Sequence, residues 1–457
     1  MKKPKWLVLA VPVVAIVGAL VVGAWQALGL SVAMFTQGPR VAVGIGAKLL
    51  CSAEYVMQAR RDQAWTDVVQ YSPILEQLSV EYNEGARSVT ASFWGVSTRT
   101  ASFIDGLGCA LDFGHKDPRR ALEARAVIPR STLPWPAGDE VNTHNLSMQA
   151  LTDALVKQDN TEGLNTRALL VVHNGEIVAE TYAQGATSSM PLLGWSMAKS
   201  LTAIMLGNLE MRGLLDRQRQ PVFAAWADDS RAAISVTDLL TMTDGLAFEE
   251  TYEPGDDATR MLFLAPSADD YALGVPLAGT PGARFNYSSG TANLLSRLHQ
   301  DVLGSPQAAY DDFITHVYQP MGMQHSVLEV DASGAFVGSS YFYATARDWA
   351  RMGQLMLNGG ELNGVRIVTP EWVAKATTPN ASENYRAYGF QWWLNRGNDT
   401  LRFPDLPEDA FFANGNRQQT TMVFPSHNTV IVRLGWTSAL YPINQRFYRI
   451  VTALTQS

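Results

Sequence analysis

Strand-forming runs lie near both ends of the region 140–457, and a long helical stretch separates them. Near the start of this region, residues 168–172 and 177–182 are β-rich and flank Asn174-Gly175, a strong hairpin signal. Near its end lie further β-rich runs at 388–394, 411–413, 420–424 and 429–435. The stretch 205–385 between them is helical and loop-rich. This order predicts an α+β fold, in which an antiparallel sheet drawn from both ends is flanked by helices and packs beside an all-helical subdomain.

The amino terminus is typical of a membrane anchor. Three lysines among the first five residues precede an apolar run, 6–30, without a charged residue. This run reaches the roughly 20 residues that cross a bilayer, exceeds the usual signal-peptide core, and is not followed by an A-x-A cleavage site. We therefore expect residues 1–35 to form an uncleaved single-pass helix in the cytoplasmic (inner) membrane, with a removed signal as the alternative. The lysines predict a cytoplasmic amino terminus and a periplasmic or extracytoplasmic remainder.

The region 40–115 is expected to be a small α+β unit. Its pattern predicts a helix over 51–80 and strands at 88–95, 99–103 and 106–111. It holds both cysteines, Cys51 and Cys109. In an exported chain these are expected to form a disulfide, worth about 4 kcal/mol in the chain-entropy model, rather than two buried thiols. The charged, proline-bearing residues 116–139 are predicted to link this unit to the main domain, 140–457.

Composition excludes some function classes. The chain has 43 acidic and 35 basic residues, a net charge of −8, and no basic stripe, which argues against nucleic-acid binding. Two cysteines without a nearby histidine pair do not make a zinc site, so no metal is predicted.

Three separated stretches carry candidate chemistry. In Gly194-Trp195-Ser196-Met197-Ala198-Lys199, the Ser196 hydroxyl and the Lys199 amine lie one helical turn apart, the spacing a Ser-Lys nucleophile needs. The second stretch, 281–290, carries Tyr287 before a predicted helix, and a neighbouring ammonium is expected to lower the pKa of its phenol. The third, 413–419, enters an edge strand that could supply an oxyanion N–H.

These stretches, in this order, resemble the serine β-lactamase and penicillin-binding-protein superfamily over about residues 130–455. The branch most similar contains class C β-lactamases, family VIII esterases and 6-aminohexanoate-dimer hydrolases. Ser196 and Lys199 fit the superfamily's S-x-x-K, Tyr287 and Ser289 fit its Y-x-S, and 413–415 fall where it has K-T-G or H-x-G.

The resemblance implies a mechanism without metal or cofactor. Lys199 and Tyr287 would relay the proton of Ser196, which attacks a carbonyl to form an acyl-enzyme. The backbone N–H groups of Ser196 and Asn416 would hold the oxyanion, and Asn414, Gly415 and Ser289 would line the substrate site.

Departures from the superfamily pattern favour a small-molecule ester or small amide as substrate. Ala413 stands where a cationic or imidazole side chain usually meets a substrate carboxylate, unless Arg417 substitutes for it. Ser289 stands in place of an asparagine. Tyr252 and Asp256, in the acidic segment 248–257, are candidate substrate contacts, with a solvated loop as the alternative interpretation.

Other functions stay open at this point. A D-Ala-D-Ala peptidase or a β-lactamase is the alternative among enzymes of this superfamily. An α/β-hydrolase is disfavoured because Ala198 replaces the second glycine of G-x-S-x-G and no suitable Asp and His follow. A membrane-anchored binding protein that keeps the fold without activity is the alternative outside enzymes.

Overall fold

The computed structural model describes residues 36–114, 117–124, 132–141 and 145–455. The predicted anchor, residues 1–35, lies outside these residues. Across the described ranges, none of the helices combines the length and the apolar character that crossing a bilayer requires.

The first described unit is a helix packed on a four-stranded sheet. Helices α1 (Gly38–Tyr55) and α2 (Arg61–Val69) precede an antiparallel sheet of sequential order. Its strands are β1 (Leu78–Asn83), β2 (Ser88–Phe93), β3 (Ser97–Ile104) and β4 (Gly108–Leu111). The Cys51–Cys109 disulfide joins α1 to β4 and confirms the predicted pairing.

The helix predicted over 51–80 is wrong in its extent. Helix α1 begins earlier and ends at Tyr55, and Gln58 then adopts a left-handed conformation with a φ of +55°. Arg60 is extended ahead of α2, and Pro73 opens a short 3-10 turn that leads into β1. These breaks divide the stretch into four elements.

A helix and a hairpin open the main domain. Helix α3 (Leu146–Thr161) is capped by the Asn145 side chain and packs on strands β5 (Thr166–His173) and β6 (Glu176–Tyr182). The turn between these strands places Asn174 and Gly175 at φ values of +52° and +81°. Two successive positive φ values are what a type I′ hairpin turn requires, so the hairpin prediction is confirmed.

The middle of the domain is mainly helical, as predicted. Short strands β7 (Leu192–Leu193), β8 (Val327–Leu328) and β9 (Phe342–Ala344) form a small sheet beside it, and β10 (Glu361–Leu362) pairs with β11 (Val365–Arg366). The helices are α4 (Ala198–Met211), α5 (Val236–Leu240), α6 (Asp257–Leu264), α7 (Ala268–Leu273), α8 (Ser289–Leu303), α9 (Pro306–Phe313), α10 (Ala346–Leu357) and α11 (Pro370–Ala376).

The main sheet is antiparallel and has the strand order β12-β13-β14-β15-β5-β6. Its later strands are β12 (Trp393–Leu394), β13 (Phe411–Gly415), β14 (Gln419–Phe424) and β15 (Thr429–Gly435), and helix α12 (Ile443–Thr455) follows. Strand β15 pairs with β5, which joins the two ends of the domain as predicted. The run 388–394 contributes only its last two residues to a strand.

Alternation along β5 and β15 buries both faces of this sheet. Leu169 and Val171 of β5, with Ile431 of β15, lie in the apolar cluster that α3 and α12 cover. The intervening Leu170 and Val432 lie in the larger cluster on the other face, where α10 packs. The sheet is therefore a rigid central layer.

The amino-terminal unit shares the larger core with the main domain. The same continuous cluster of buried residues contains Val41 and Val89 of the first unit and Leu201 and Trp349 of the second. A buried ion pair between Lys48 of α1 and Glu329 also crosses the boundary. Within the predicted linker, Trp135 is buried and Arg351 donates to the Pro136 carbonyl, so residues 132–141 pack on the main domain.

Candidate functional site

Ser196 lies on a sharp turn between β7 and α4. Trp195–Met197 form a single 3-10 turn that runs directly into α4, and Trp195 adopts a φ of +49°. Positive φ is uncommon for a bulky residue and marks strain that the surrounding structure must support. Trp349 packs so closely on Gly194 that a Cβ there would come within 2.0 Å of its ring. The turn leaves Ser196 half-buried, with access to a cavity.

Lys199 lies beneath Ser196 and uses all three of its donors. Its Nζ donates to Ser196 Oγ at 3.0 Å, to Ser289 Oγ at 2.9 Å and to the Ser339 carbonyl at 3.1 Å. Only 1% of the residue is exposed. The S-x-x-K spacing thus brings the amine within hydrogen-bond distance of the serine.

Burial changes the acidity of this lysine. Removal from water lowers the pKa of the Lys199 ammonium from 10.5 to about 8, while the nearby Glu250 carboxylate acts in the opposite direction. An amine with a pKa of about 8 is partly neutral near neutral pH, and only the neutral form can accept a proton.

Tyr287 faces the same serine, but its acidity differs from the expectation. Burial and the Glu250 charge raise the pKa of the Tyr287 phenol well above its ordinary value, and the hydrogen bond with Ser196 only partly offsets them. Lys199 Nζ lies 4.8 Å from the centre of the tyrosine ring and does not lower the phenol pKa as predicted. The phenol is therefore neutral and can donate a hydrogen bond, while Lys199 is the better proton acceptor.

Glu250 is a member of this group that sequence reasoning did not single out. Its carboxylate accepts from the Ser289 hydroxyl at 2.7 Å, from the Ser289 backbone N–H, and from the Tyr252 hydroxyl at 2.5 Å. The acidic character of 248–257 indicated a loop near the pocket. Nothing in the spacing distinguished this carboxylate from its neighbours.

Strand β13 ends directly against the serine turn. A Cβ on Gly415 would lie 2.0 Å from the carbonyl oxygen of Gly194, so only glycine allows the two backbones to approach. Asn414, Gly415 and Asn416 line the cavity, and Ala413 is buried in the core. The third sequence stretch therefore lies beside Ser196.

The cavity above Ser196 has a volume of about 480 Å³. Tyr252, Tyr287 and the three residues at the end of β13 line it, whereas Lys199 and Ser289 lie in the layer below. The rest of its lining comes from Tyr71, Trp393, Arg417, Gln418, Thr437 and Ser438.

Asp256 does not reach this cavity. It caps α6, and its carboxylate accepts from the backbone N–H groups of Thr251, Tyr252 and Thr259. Its contacts therefore shape the loop that presents Tyr252, which has a φ of +60°.

Tyr71 of the amino-terminal unit lies at the rim of the cavity and contacts Arg417 of the main domain. Tyr71 follows α2, and the Arg417 guanidinium stacks 4.1 Å from the centre of its ring. Arg417 also donates to Ser438 Oγ at 2.7 Å. Within the described part of the chain, no carboxylate forms an ion pair with Arg417, and no group of three His, Cys, Asp or Glu side chains could hold a metal.

Comparison with known proteins identifies the family. The beta-lactamase family model matches residues 148–443, nearly two thirds of the chain. The chain belongs to the beta-lactamase family. This match includes all three sequence stretches and confirms the resemblance on which they were grouped.

The family's relatives include hydrolases of several kinds. The chain is 27% identical over 295 residues to a 6-aminohexanoate-dimer hydrolase from Paenarthrobacter ureafaciens, covering 59% of this chain and 72% of that protein. A putative 6-aminohexanoate-dimer hydrolase from Bacillus anthracis superimposes with a TM-score of 0.53 at 21% identity, covering 65% and 80% of the two chains. A family VIII carboxylesterase superimposes with a TM-score of 0.53 at 15% identity, covering 69% and 100%. The structural matches show the shared fold.

Proposed function

We propose that this protein is a serine hydrolase that acts through an acyl-enzyme on Ser196. The observation that carries the proposal is the contact between Ser196 Oγ and a buried lysine amine whose pKa is lowered to about 8. A serine hydroxyl is a weak nucleophile unless an adjacent base takes its proton. Family membership supports the same reaction type.

In the proposed acylation, neutral Lys199 accepts the Ser196 proton as Oγ bonds to the substrate carbonyl carbon. The backbone N–H groups of Ser196 and Asn416 stabilise the oxyanion. When the tetrahedral intermediate collapses, the bond to the leaving group breaks, and the leaving group takes up the proton through Tyr287. Water then attacks the acyl-enzyme with Lys199 as base, and the proton returns to Ser196.

The substrate class we propose is an uncharged ester or small linear amide. Ala413 leaves the third stretch without a cation, and the Glu250 carboxylate accepts from the hydroxyl of the cavity residue Tyr252. Both features disfavour an anionic group deep in the pocket. The names of the relatives, a 6-aminohexanoate-dimer hydrolase and a carboxylesterase, agree with this class.

Arg417 supports a second candidate. Its guanidinium lies at the cavity rim without a carboxylate partner in the described residues, so it could receive the carboxylate of a D-Ala-D-Ala peptide or a β-lactam. If so, Arg417→Ala would abolish turnover of these substrates and spare neutral esters.

We propose that the reaction takes place outside the cytoplasmic membrane, with residues 1–35 as the anchor. The disulfide supports an oxidising compartment, since such bonds are rare in the cytosol. Alkylation of a cysteine introduced beside the anchor, in intact cells, would test the orientation.

The experiment that tests the enzyme proposal is intact-mass analysis after exposure to a fluorophosphonate and to a panel of substrates. The panel holds short acyl esters, 6-aminohexanoate dimer, a cephalosporin and a D-Ala-D-Ala peptide. We expect an adduct on the native protein and on Ser230→Ala, which changes an exposed serine, but none on Ser196→Ala. Lys199→Met should lose nearly all turnover. If the native protein reacts with none of these compounds, the interpretation as a non-catalytic binding protein is favoured.

A further inference from the structure

A second cavity, of about 310 Å³, opens beside the serine and is built largely by the amino-terminal unit. One wall is α1, the opposite wall is α6, and the 3-10 turn after α2 closes one side. Its apolar lining includes Val41, Ile45, Leu49, Leu75, Trp195 and Phe263.

This cavity adjoins the catalytic one. Tyr71, Tyr252 and Asn416 line both cavities. Trp195, which lines the second cavity, directly precedes Ser196. The second cavity therefore lies next to the position that a substrate carbonyl would take at Ser196.

The walls suit hydrocarbon because aliphatic side chains from three elements converge there. Val41 and Leu49 are at most 4% exposed, and Leu75 is fully buried. At Gly44 the two helices approach closely, since a Cβ there would lie 2.8 Å from the Phe263 carbonyl oxygen. The lining also has polar members. Tyr71, Tyr252 and Asn416 line both cavities, and Ser72, Thr259 and the exposed Glu253 lie elsewhere in the lining of the second one.

We propose that this cavity receives an unbranched hydrocarbon chain of the substrate, so that the amino-terminal unit sets the chain-length preference of the hydrolase. This inference rests on the proposed function. Helix α1 lies outside the segment that the family model matches, 148–443, so one wall of this cavity comes from residues beyond that match. Burial of each methylene in an apolar site favours binding, and the preference should grow with chain length.

The test measures kcat/KM for p-nitrophenyl acetate and p-nitrophenyl octanoate. A parallel pair, ethyl acetate and octyl acetate, places the chain on the alcohol side instead. We expect the native protein to prefer the longer member of one pair by about tenfold or more, because several methylenes become buried. The pair that shows the preference identifies which side of the ester enters the cavity.

Two variants of one residue make the assignment specific. Ile45→Trp should reduce the ratio of kcat/KM for the longer ester to kcat/KM for the shorter ester to near unity. Turnover of the short esters and fluorophosphonate labelling should remain. Ile45→Ala should keep or increase the preference. Val96→Trp, which adds the same bulk at a position that is 75% exposed on the same unit, should behave like the native protein.

The outcomes separate the two proposals. Short-ester turnover and labelling without a preference in either pair, or a preference unchanged in Ile45→Trp, would overturn the subsite and leave the hydrolase standing. Absence of both labelling and turnover with every ester would overturn the hydrolase and the subsite with it.

Discussion

The proposed role of Lys199 as a base depends on its removal from water by the fold. Burial lowers the pKa of its ammonium, and the Glu250 charge limits how far it falls, so the two effects together set a value of about 8. The same burial raises the pKa of Tyr287. The same buried environment therefore favours a neutral Lys199 amine, which can accept a proton, and a neutral Tyr287 phenol, which can donate one.

The first prediction concerns the pH dependence of kcat/KM. Since neutral Lys199 is the proposed base, activity should rise with pH through about 8. Glu250→Gln removes the charge that raises this pKa, so the rising limb should move to lower pH. Glu249→Gln, which changes the exposed neighbouring carboxylate, is the matched control and should leave the limb in place. A limb that stays near 8 in Glu250→Gln would contradict the electrostatic role of Glu250.

Spacing along the chain predicted Ser196 and Lys199 because their contact depends on one helical turn. Glu250 could not be predicted in this way, since it reaches Ser289 across 39 positions through an irregular loop. Tyr71 belongs to a different unit, and its position depends on how the whole molecule packs. Spacing alone therefore predicted the local pair, and the family resemblance predicted distant partners such as Tyr287 and Ser289, whereas Glu250 and Tyr71 had neither signal.

At the scale of elements, the site depends on the contact between the end of β13 and the serine turn. Gly415 fits against the Gly194 carbonyl only because it lacks a side chain. This contact fixes the position of Asn416, whose backbone N–H is the proposed second oxyanion donor.

The second prediction tests this contact. Gly415→Ala should lower kcat about 100-fold, as expected when an oxyanion donor is displaced. Gly274→Ala is the control, because its new Cβ would meet other atoms only at ordinary van der Waals distances and its φ is −80°. Steady-state kinetics and thermal unfolding should be measured for both variants. Full activity in a folded Gly415→Ala variant would show that β13 does not supply the donor.

Strand patterns predicted that the main sheet is built from both ends of the domain, because the β5–β6 turn and the β-rich run of β15 are local signals. The boundaries of α1 and α2 were not predictable. Their apolar spacing continues through the break, and the positive φ at Gln58 has no signal in composition. The run 388–394 was also overestimated as a strand, since it turns back on itself with a single β-bridge between Tyr388 and Trp393, and only residues 393–394 pair with β13.

At the scale of the whole molecule, buried ion pairs help to join the amino-terminal unit to the main domain, and one of them lies at Glu329. Glu329 forms the ion pair with Lys48, accepts from Ser52 Oγ at 2.8 Å and accepts from the Cys109 N–H at 2.7 Å. Lys48 also lies 4.0 Å from the centre of the Tyr341 ring. One carboxylate therefore contacts both ends of the first unit.

The third prediction follows from this arrangement. Glu329→Gln should reduce the free energy of unfolding by about 3–5 kcal/mol, because it leaves a buried ammonium without its counter-charge. Adding Lys48→Met should recover part of the loss. Asp105→Asn, which breaks an exposed pair with Arg87, should cost at most about 1 kcal/mol. Urea unfolding gives all three values, and equal costs at the buried and exposed sites would refute the prediction.

The last prediction concerns the disulfide that closes the same unit. Cys51 and Cys109 are separated by 58 positions, and both are fully buried next to the Glu329 contact. The double variant Cys51→Ala/Cys109→Ala should lose about 4 kcal/mol of unfolding free energy, since the unfolded chain regains the entropy of the open loop. A reducing agent should destabilise the native protein by a similar amount and leave the double variant unchanged.

Because α1 forms a wall of the proposed hydrocarbon subsite, turnover of the octanoyl ester should fall at a lower urea concentration in the double variant than in the native protein. Loss of octanoyl activity at the native urea concentration would mean that α1 holds its position without the disulfide.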